Sequence, residues 1–173
     1  MERADFQAGT ICPNCGKGKL TVKRGMRDIG PLLGLVEVTV KNLSAASCPA
    51  CGAVPVPGDV LELLSLAIAG SMLSQAELEP IEVKFLRKLL EYTQAELAEH
   101  LGVDRATANR WEQESGRLTG ANSYALRSHV FMQLQDKAGP LFAAAEKALK
   151  EHSTPRAAVP AYRILDVERL RAA

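Results

Sequence analysis

At 173 residues and 47% apolar composition, the chain suits one ordinary domain or two small ones and is too apolar for wholesale disorder. Its formal net charge of +1 supplies no global basic field, so any nucleic-acid binding must come from locally placed groups. The charge is unevenly spread: residues 1–58 hold seven Lys/Arg against four Asp/Glu, and residues 59–83 hold five acids and no base.

The N-terminus, MERADFQAG, is charged and polar and lacks the apolar centre of a secretion signal. The most apolar run, VLELLSLAIAGSML from Val60 to Leu73, carries Glu62 and falls short of the ~20 residues a bilayer needs. The expectation is a cytoplasmic protein with no membrane partner.

The first third carries CPNCG at residues 12–16 and CPACG at residues 48–52, and these two echoes use all four cysteines. A reducing compartment disfavours structural disulfides, whereas paired Cys-x-x-Cys turns have the spacing of a tetrahedral thiolate site. In each turn, Pro and the following Gly let backbone amides face the sulfurs. Zinc suits four thiolates because it has no redox chemistry and accepts tetrahedral geometry. None of His100, His129 and His152 lies near in sequence, so one structural Zn2+ on Cys12, Cys15, Cys48 and Cys51 is expected. Four protein ligands leave no open position for a catalytic water. The spacer of 32 residues between Cys15 and Cys48 exceeds the ~15–20 of common ribbons. The excess costs only about 0.5 kcal/mol of loop closure, against ~10 kcal/mol or more from a structural zinc. Within the spacer, TVKRG and LVEVTVKNL read as short strands.

After Asp59, a plausible N-cap, the pattern becomes helical to about residue 150, with Pro80 positioned to open a helix. The acidic stretch 59–83 is expected to repel DNA and leave the cysteine region for a protein partner. Next comes QAELAEHLGVDRATANRWE, Gln94 to Glu112. Read as two helices joined at Gly102, it turns Leu97, Ala98 and Leu101 inward from the first helix and Ala108 and Trp111 from the second, with Val103 in the turn. Thr93 and Glu96 form a capping box, and Asp104 caps the second helix. This pattern predicts a helix-turn-helix.

The buried positions leave Arg105, Ala106, Thr107, Asn109 and Arg110 near the outward face of the second helix. Recognition helices present their N-terminal residues to the major groove, so Arg105 is the first base-reading candidate, able to grip guanine with two bonds. Arg110 could read a base or hold a phosphate, and Gln94 could meet a phosphate at the first helix's N-terminus. Lys84, Arg87 and Lys88 on the preceding helix are further candidate phosphate contacts. The apolar residues of YALRSHVFMQL, Tyr124 to Leu134, either close the helical core or line a dimer seam. A tail with Pro155 and Pro160 follows, and AYRILDVERL within it could form a short helix or strand against a packing surface.

The order CPNCG…CPACG, then VKFLRKLLEYTQAELAEHLGVDRATANRWE, resembles the MqsA-type (YgiT-type) antitoxins over roughly residues 10–135. These join an N-terminal zinc-binding domain to a helix-turn-helix domain of the Xre/Cro class. The resemblance implies a homodimer, formed through the C-terminal domains, on a palindromic double-stranded DNA operator. It also implies repression of the protein's own operon and capture of a ribonuclease toxin by the zinc domain. That family carries an asparagine in the recognition helix and, four residues later, an arginine before the aromatic-Glu pair. Arg110 matches the arginine, but the asparagine position is Ala106, so the operator should differ, with Arg105 or Asn109 taking over base contacts.

The fold expected is α+β: a small zinc-ribbon-like N-terminal domain followed by an all-α lambda-repressor-like helix-turn-helix domain. The boundaries read are 1–58 for the zinc-binding part, 59–80 for an acidic helical linker, 81–138 for the DNA-binding part, and 139–173 for a C-terminal helix and tail. The function expected is a sequence-specific transcriptional repressor, the antitoxin of a type II pair. The alternatives are a regulator without a toxin, or a bridging-factor-like protein contacting ribosome or polymerase, which should be more basic than this chain. No Ser/His/Asp, HExxH or phosphate-loop pattern is present, so no enzyme is expected.

Overall fold

The computed structural model describes residues 6–113, 117–150 and 161–172. The α+β expectation holds: a small sheet carrying the cysteine cluster is followed by a helical body. The N-terminal residues 1–5, His152, Pro155 and Pro160 of the sequence reading lie outside the described residues.

The cysteine loop is filled by an antiparallel pair, β1 (Thr21–Asp28) and β2 (Thr39–Ser47). The register shifts between Gly25 and Arg27, and Asn42 opposite takes a positive φ of 57°. Such a bulge bends the ribbon, and asparagine tolerates the left-handed backbone better than most residues. The connection holds a single turn of helix, α1 (Gly30–Leu33). It is clamped by Asp28, whose carboxylate accepts the amides of Gly30 at 2.9 Å and Val38 at 3.0 Å.

Helices α2 (Gly58–Leu73), α3 (Pro80–Leu89), α4 (Gln94–Leu101), α5 (Arg105–Gln113), α6 (Gly120–Ala138) and α7 (Ala143–Lys150) follow. Pro80 opens α3 as expected, but Asp59 sits in the first turn of α2 behind an N-cap at Pro57. The stretch read as an acidic linker is largely α2, ten of whose sixteen residues are buried. Its apolar side chains run nearly all round the helix, so it packs as a core helix rather than spanning solvent.

Nor do the acids of residues 59–83 form one exposed strip. Asp59 and Glu62 are exposed, Glu77 pairs with Arg117 at 3.1 Å, Glu79 and Glu82 form the α3 capping box, and Glu82 is fully buried. Three of the five carboxylates are therefore engaged within the fold, and only Asp59 and Glu62 are fully exposed.

The segment AYRILDVERL returns to the sheet. β3 (Ile164–Asp166) pairs in parallel with β2, Thr39 opposite Ile164, and α8 (Val167–Ala172) completes the described chain. Asn42 donates to Asp166 at 3.0 Å, Arg24 pairs with Glu168, and the hydroxyl of buried Tyr162 donates to Glu82 at 2.7 Å. One apolar core runs from Val38, just before the sheet, and Val40 and Leu43 within it, through α2, α3, α4 and α6 to Tyr162 and Val167. Leu126, Val130 and Leu134 of α6 close this core, while Met132 stays 60% exposed. A separate small cluster of Cys12, Leu20, Ala46 and Cys48 sits at the cysteine end. No described helix is long and apolar enough to cross a membrane.

Candidate functional site

Each CPxCG turn repeats one backbone arrangement. The amide of Gly16 donates to the carbonyl of Cys12, and that of Gly52 to the carbonyl of Cys48, both at 2.9 Å. Both glycines hold left-handed φ, 65° and 70°, which costs glycine no steric penalty. The two turns face each other across the β1–β2 ribbon and bring four free thiols together.

The sulfur distances test the fit to a metal. Cys12 and Cys51 lie 3.8 Å apart, Cys15 and Cys48 3.7 Å, and all four ligand atoms fall within 4.8 Å of one another. A tetrahedron with ~2.3 Å metal–sulfur bonds has sulfur–sulfur edges of about 3.8 Å. A disulfide would instead need ~2.05 Å. The cradle is also tight: a Cβ on Gly18 would come within 2.4 Å of the Cys48 sulfur and 2.9 Å of the Ala50 side chain.

Backbone amides of Gly18 and Lys17 hold the Cys15 thiol down at about 6, and the Ala53 amide and then the Asn14 side chain lower Cys51. Burial pushes Cys48 up to about 11. Thiolate character is thus favoured on the open side of the cluster, and a cation bound among the sulfurs would supply the counter-charge that Cys48 lacks. These four thiolates form a site able to hold a structural metal. His100 and His129 lie elsewhere, stacked with each other at 5.1 Å, with Tyr92 against His100 at 4.7 Å.

The second site is the corner of α4 and α5. Thr93 and Glu96 make the reciprocal capping box, the hydroxyl accepting from Glu96 N at 3.2 Å and the carboxylate accepting from Thr93 N at 2.7 Å. Gly102 takes φ 65° and turns the chain, and Asp104 caps α5 by accepting the Thr107 amide at 2.9 Å. Hydrogen bonds from the Thr107 hydroxyl and then its amide hold the Asp104 carboxyl below the usual range. Leu97, Ala98 and Ala108 are buried and Trp111 packs partly on the core, so the inward faces fall where the sequence pattern places them.

What fixes the angle of α5 is an ion pair. Arg87 of α3 donates Nε and Nη2 to the two oxygens of Glu112, at 2.5 and 2.9 Å, and Nη1 to the carbonyl of Tyr92 at 2.6 Å. The side chains are 12% and 2% exposed. Burial alone pushes the Glu112 carboxyl up, but the hydrogen bonds from Arg87 and Gln94 outweigh it and hold it low. Arg87, offered above as a phosphate contact, is therefore turned inward: its guanidinium ties α3 to α5 and to the loop that leads into α4 instead of facing solvent. Lys84 and Lys88 remain exposed.

Gln94 is engaged as well. Its amide nitrogen donates to Asn109 at 3.1 Å and to Glu112 at 3.0 Å, so both donors are engaged within the corner. On α5, Arg105 and Ala106 are exposed, and Arg105 has no side-chain partner among the described residues. Arg110 is exposed too and donates to the Thr107 hydroxyl at 2.8 Å, which in turn donates to Asp104 at 2.7 Å. Sequence reasoning assigned no role to Glu112. The only signal was its place directly after Trp111, and the partner on α3 lies 25 residues away.

Residues 83–128 match the family model for helix-turn-helix. The matched stretch takes in most of α3, the α4–α5 corner and the first half of α6. No curated protein and no solved structure matches the chain. The helix-turn-helix match supports a DNA-binding transcription regulator, a class whose members are typically not enzymes.

Proposed function

We propose that the chain is a sequence-specific, homodimeric DNA-binding repressor whose cysteine end is held by one zinc ion. The observation that carries the reading is the α4–α5 corner. A buried Arg87–Glu112–Gln94 network fixes α5 while Arg105 and Arg110 stand exposed on its outward face. A fixed helix with exposed cationic side chains suits major-groove reading, where arginine can take guanine O6 and N7 together. Arg105, Thr107, Asn109 and Arg110 are the proposed base-facing set, with Ala106 positioned for a thymine methyl. Lys84 and Lys88 supply phosphate contacts. Gln94, with both donors engaged, acts chiefly by orienting Asn109.

A single helix-turn-helix reads few base pairs, and a two-fold site multiplies affinity, which favours a dimer on a palindromic operator. Zinc is the metal the four-thiolate set suits best. The finer assignment is an antitoxin that represses its own operon and neutralises a ribonuclease. It rests on the resemblance of motif order to the MqsA-type proteins, with the sheet and cysteine end as the partner-facing part.

The reading is tested by selecting duplexes from a random pool with the full chain. Enrichment of one two-fold-symmetric sequence is expected, and a pool that stays random after repeated rounds contradicts it. For the antitoxin assignment, the product of the adjacent reading frame is co-expressed with the chain. Growth arrest relieved by the full chain is expected, and no arrest or no relief removes the toxin partner.

A further inference from the structure

The two exposed arginines of α5 are not alike. Arg105 has no side-chain partner among the described residues, whereas Arg110 Nη2 donates to the Thr107 hydroxyl at 2.8 Å. That hydroxyl donates its own proton to Asp104 Oδ2 at 2.7 Å, while Asp104 Oδ1 accepts the Thr107 amide at 2.9 Å. One carboxylate thus grips Thr107 twice. A helical threonine has more than one χ1 well open to it, and the double grip selects the well that turns the hydroxyl toward Asp104.

A hydroxyl suits this relay because it accepts from arginine and donates to a carboxylate at once. Among the described residues no carboxylate lies within ion-pair distance of Arg110, and Asp104 reaches it only through Thr107. The relay therefore orients the guanidinium and leaves its charge unpaired for a partner. Asparagine would cap α5 as well as aspartate does, and without a negative charge at a helix tip that approaches a polyanion. Only the carboxylate has a second oxygen for the hydroxyl. Helical side chains lean toward the N-terminus, so the bond to Thr107 draws the Arg110 head back toward the end of α5 that enters a major groove.

We propose that Asp104 and Thr107 are positioning residues for base recognition: they hold the Arg110 guanidinium for one guanine, which makes Arg110 a base reader and not a phosphate contact. The proposal rests on α5 being the DNA-reading helix. Ordering the guanidinium before binding lowers the entropy lost on contact and narrows the base edges it can meet. What Thr107 itself still offers a base is chiefly its methyl group.

The test uses the full chain on the duplex it selects from a random pool and on every single-base-pair variant of one half-site, at fixed salt. Arg110→Ala should flatten the preference at one base pair. Thr107→Val and Asp104→Asn should each lower the preference at that same base pair about two- to ten-fold, the range of one lost hydrogen bond. Thr107→Ser keeps the hydroxyl and should keep the preference. On random duplex, Thr107→Val should bind as the wild type does and Asp104→Asn slightly better, because a negative charge leaves the interface. Asparagine preserves the cap, so thermal midpoints close to wild type are expected throughout. Equal loss on every duplex for Arg110→Ala makes Arg110 a phosphate contact and overturns the proposal. An unchanged preference in Thr107→Val and Asp104→Asn overturns it too, as does a loss in Thr107→Ser as large as in Thr107→Val. These outcomes leave α5 standing as the reading helix. A wild type that selects no sequence removes that reading, and the relay with it.

Discussion

Replacing Glu112 by alanine is expected to loosen the whole reading corner. The carboxylate accepts three hydrogen bonds, two from Arg87 at 2.5 and 2.9 Å and one from Gln94 at 3.0 Å, and is 2% exposed. Truncation leaves Arg87, 12% exposed, with only the Tyr92 carbonyl as acceptor. Removing one partner of a buried pair costs about 3–5 kcal/mol, chiefly because the other charge stays desolvated. For a chain of this size each kcal/mol moves the thermal midpoint by about 2–4 °C, so a fall of at least about 6 °C is expected. Glu112→Gln keeps the shape and one acceptor and should fall between.

The pH dependence gives an independent check. The folded carboxyl is held low, so its contribution is fully present above the unfolded value of about 4.3 and is lost as pH falls through the folded one. The gap between wild type and Glu112→Ala should therefore be widest at neutral pH and close in acid. Chemical denaturation at pH 7 and pH 3 measures both, with Arg87→Met and the double variant completing a cycle. A loss under about 0.5 kcal/mol at pH 7, as for an exposed pair, would refute the reasoning.

Gly18→Ala should lower metal content and affinity without changing any ligand, because the new Cβ would crowd the Cys48 sulfur. Elemental analysis is expected to give one metal per wild-type chain and clearly less in the variant. Tyr162→Phe removes the hydroxyl that meets buried Glu82, and should cost about 1–3 kcal/mol in urea unfolding. A neutral result would mean that the returning C-terminal segment does not brace α3.

The features legible in the sequence were those written in local spacing. CPxCG turns, the Thr93–Glu96 box and Gly102 each specify their geometry within four residues, and the structure places all of them as read. Arg87 was misread because a long cation on a helix looks the same whether it faces solvent or Glu112. The acids near α2 hid a core helix, since Asp59 and Glu62 sit on its exposed side. The return of β3 was out of reach: the strand is three residues long, and its partner Thr39 lies over a hundred positions earlier.

The most direct measurement for the central claim is fluorescence anisotropy of the full chain on its selected duplex and on a scrambled one at fixed salt, for wild type and Arg105→Ala. The account predicts that Arg105→Ala loses about 1–3 kcal/mol on the selected duplex and little on the scrambled one, collapsing the ratio between them. Equal losses on both duplexes would reduce Arg105 to a phosphate contact. No loss on either would contradict the assignment of α5 as the reading helix.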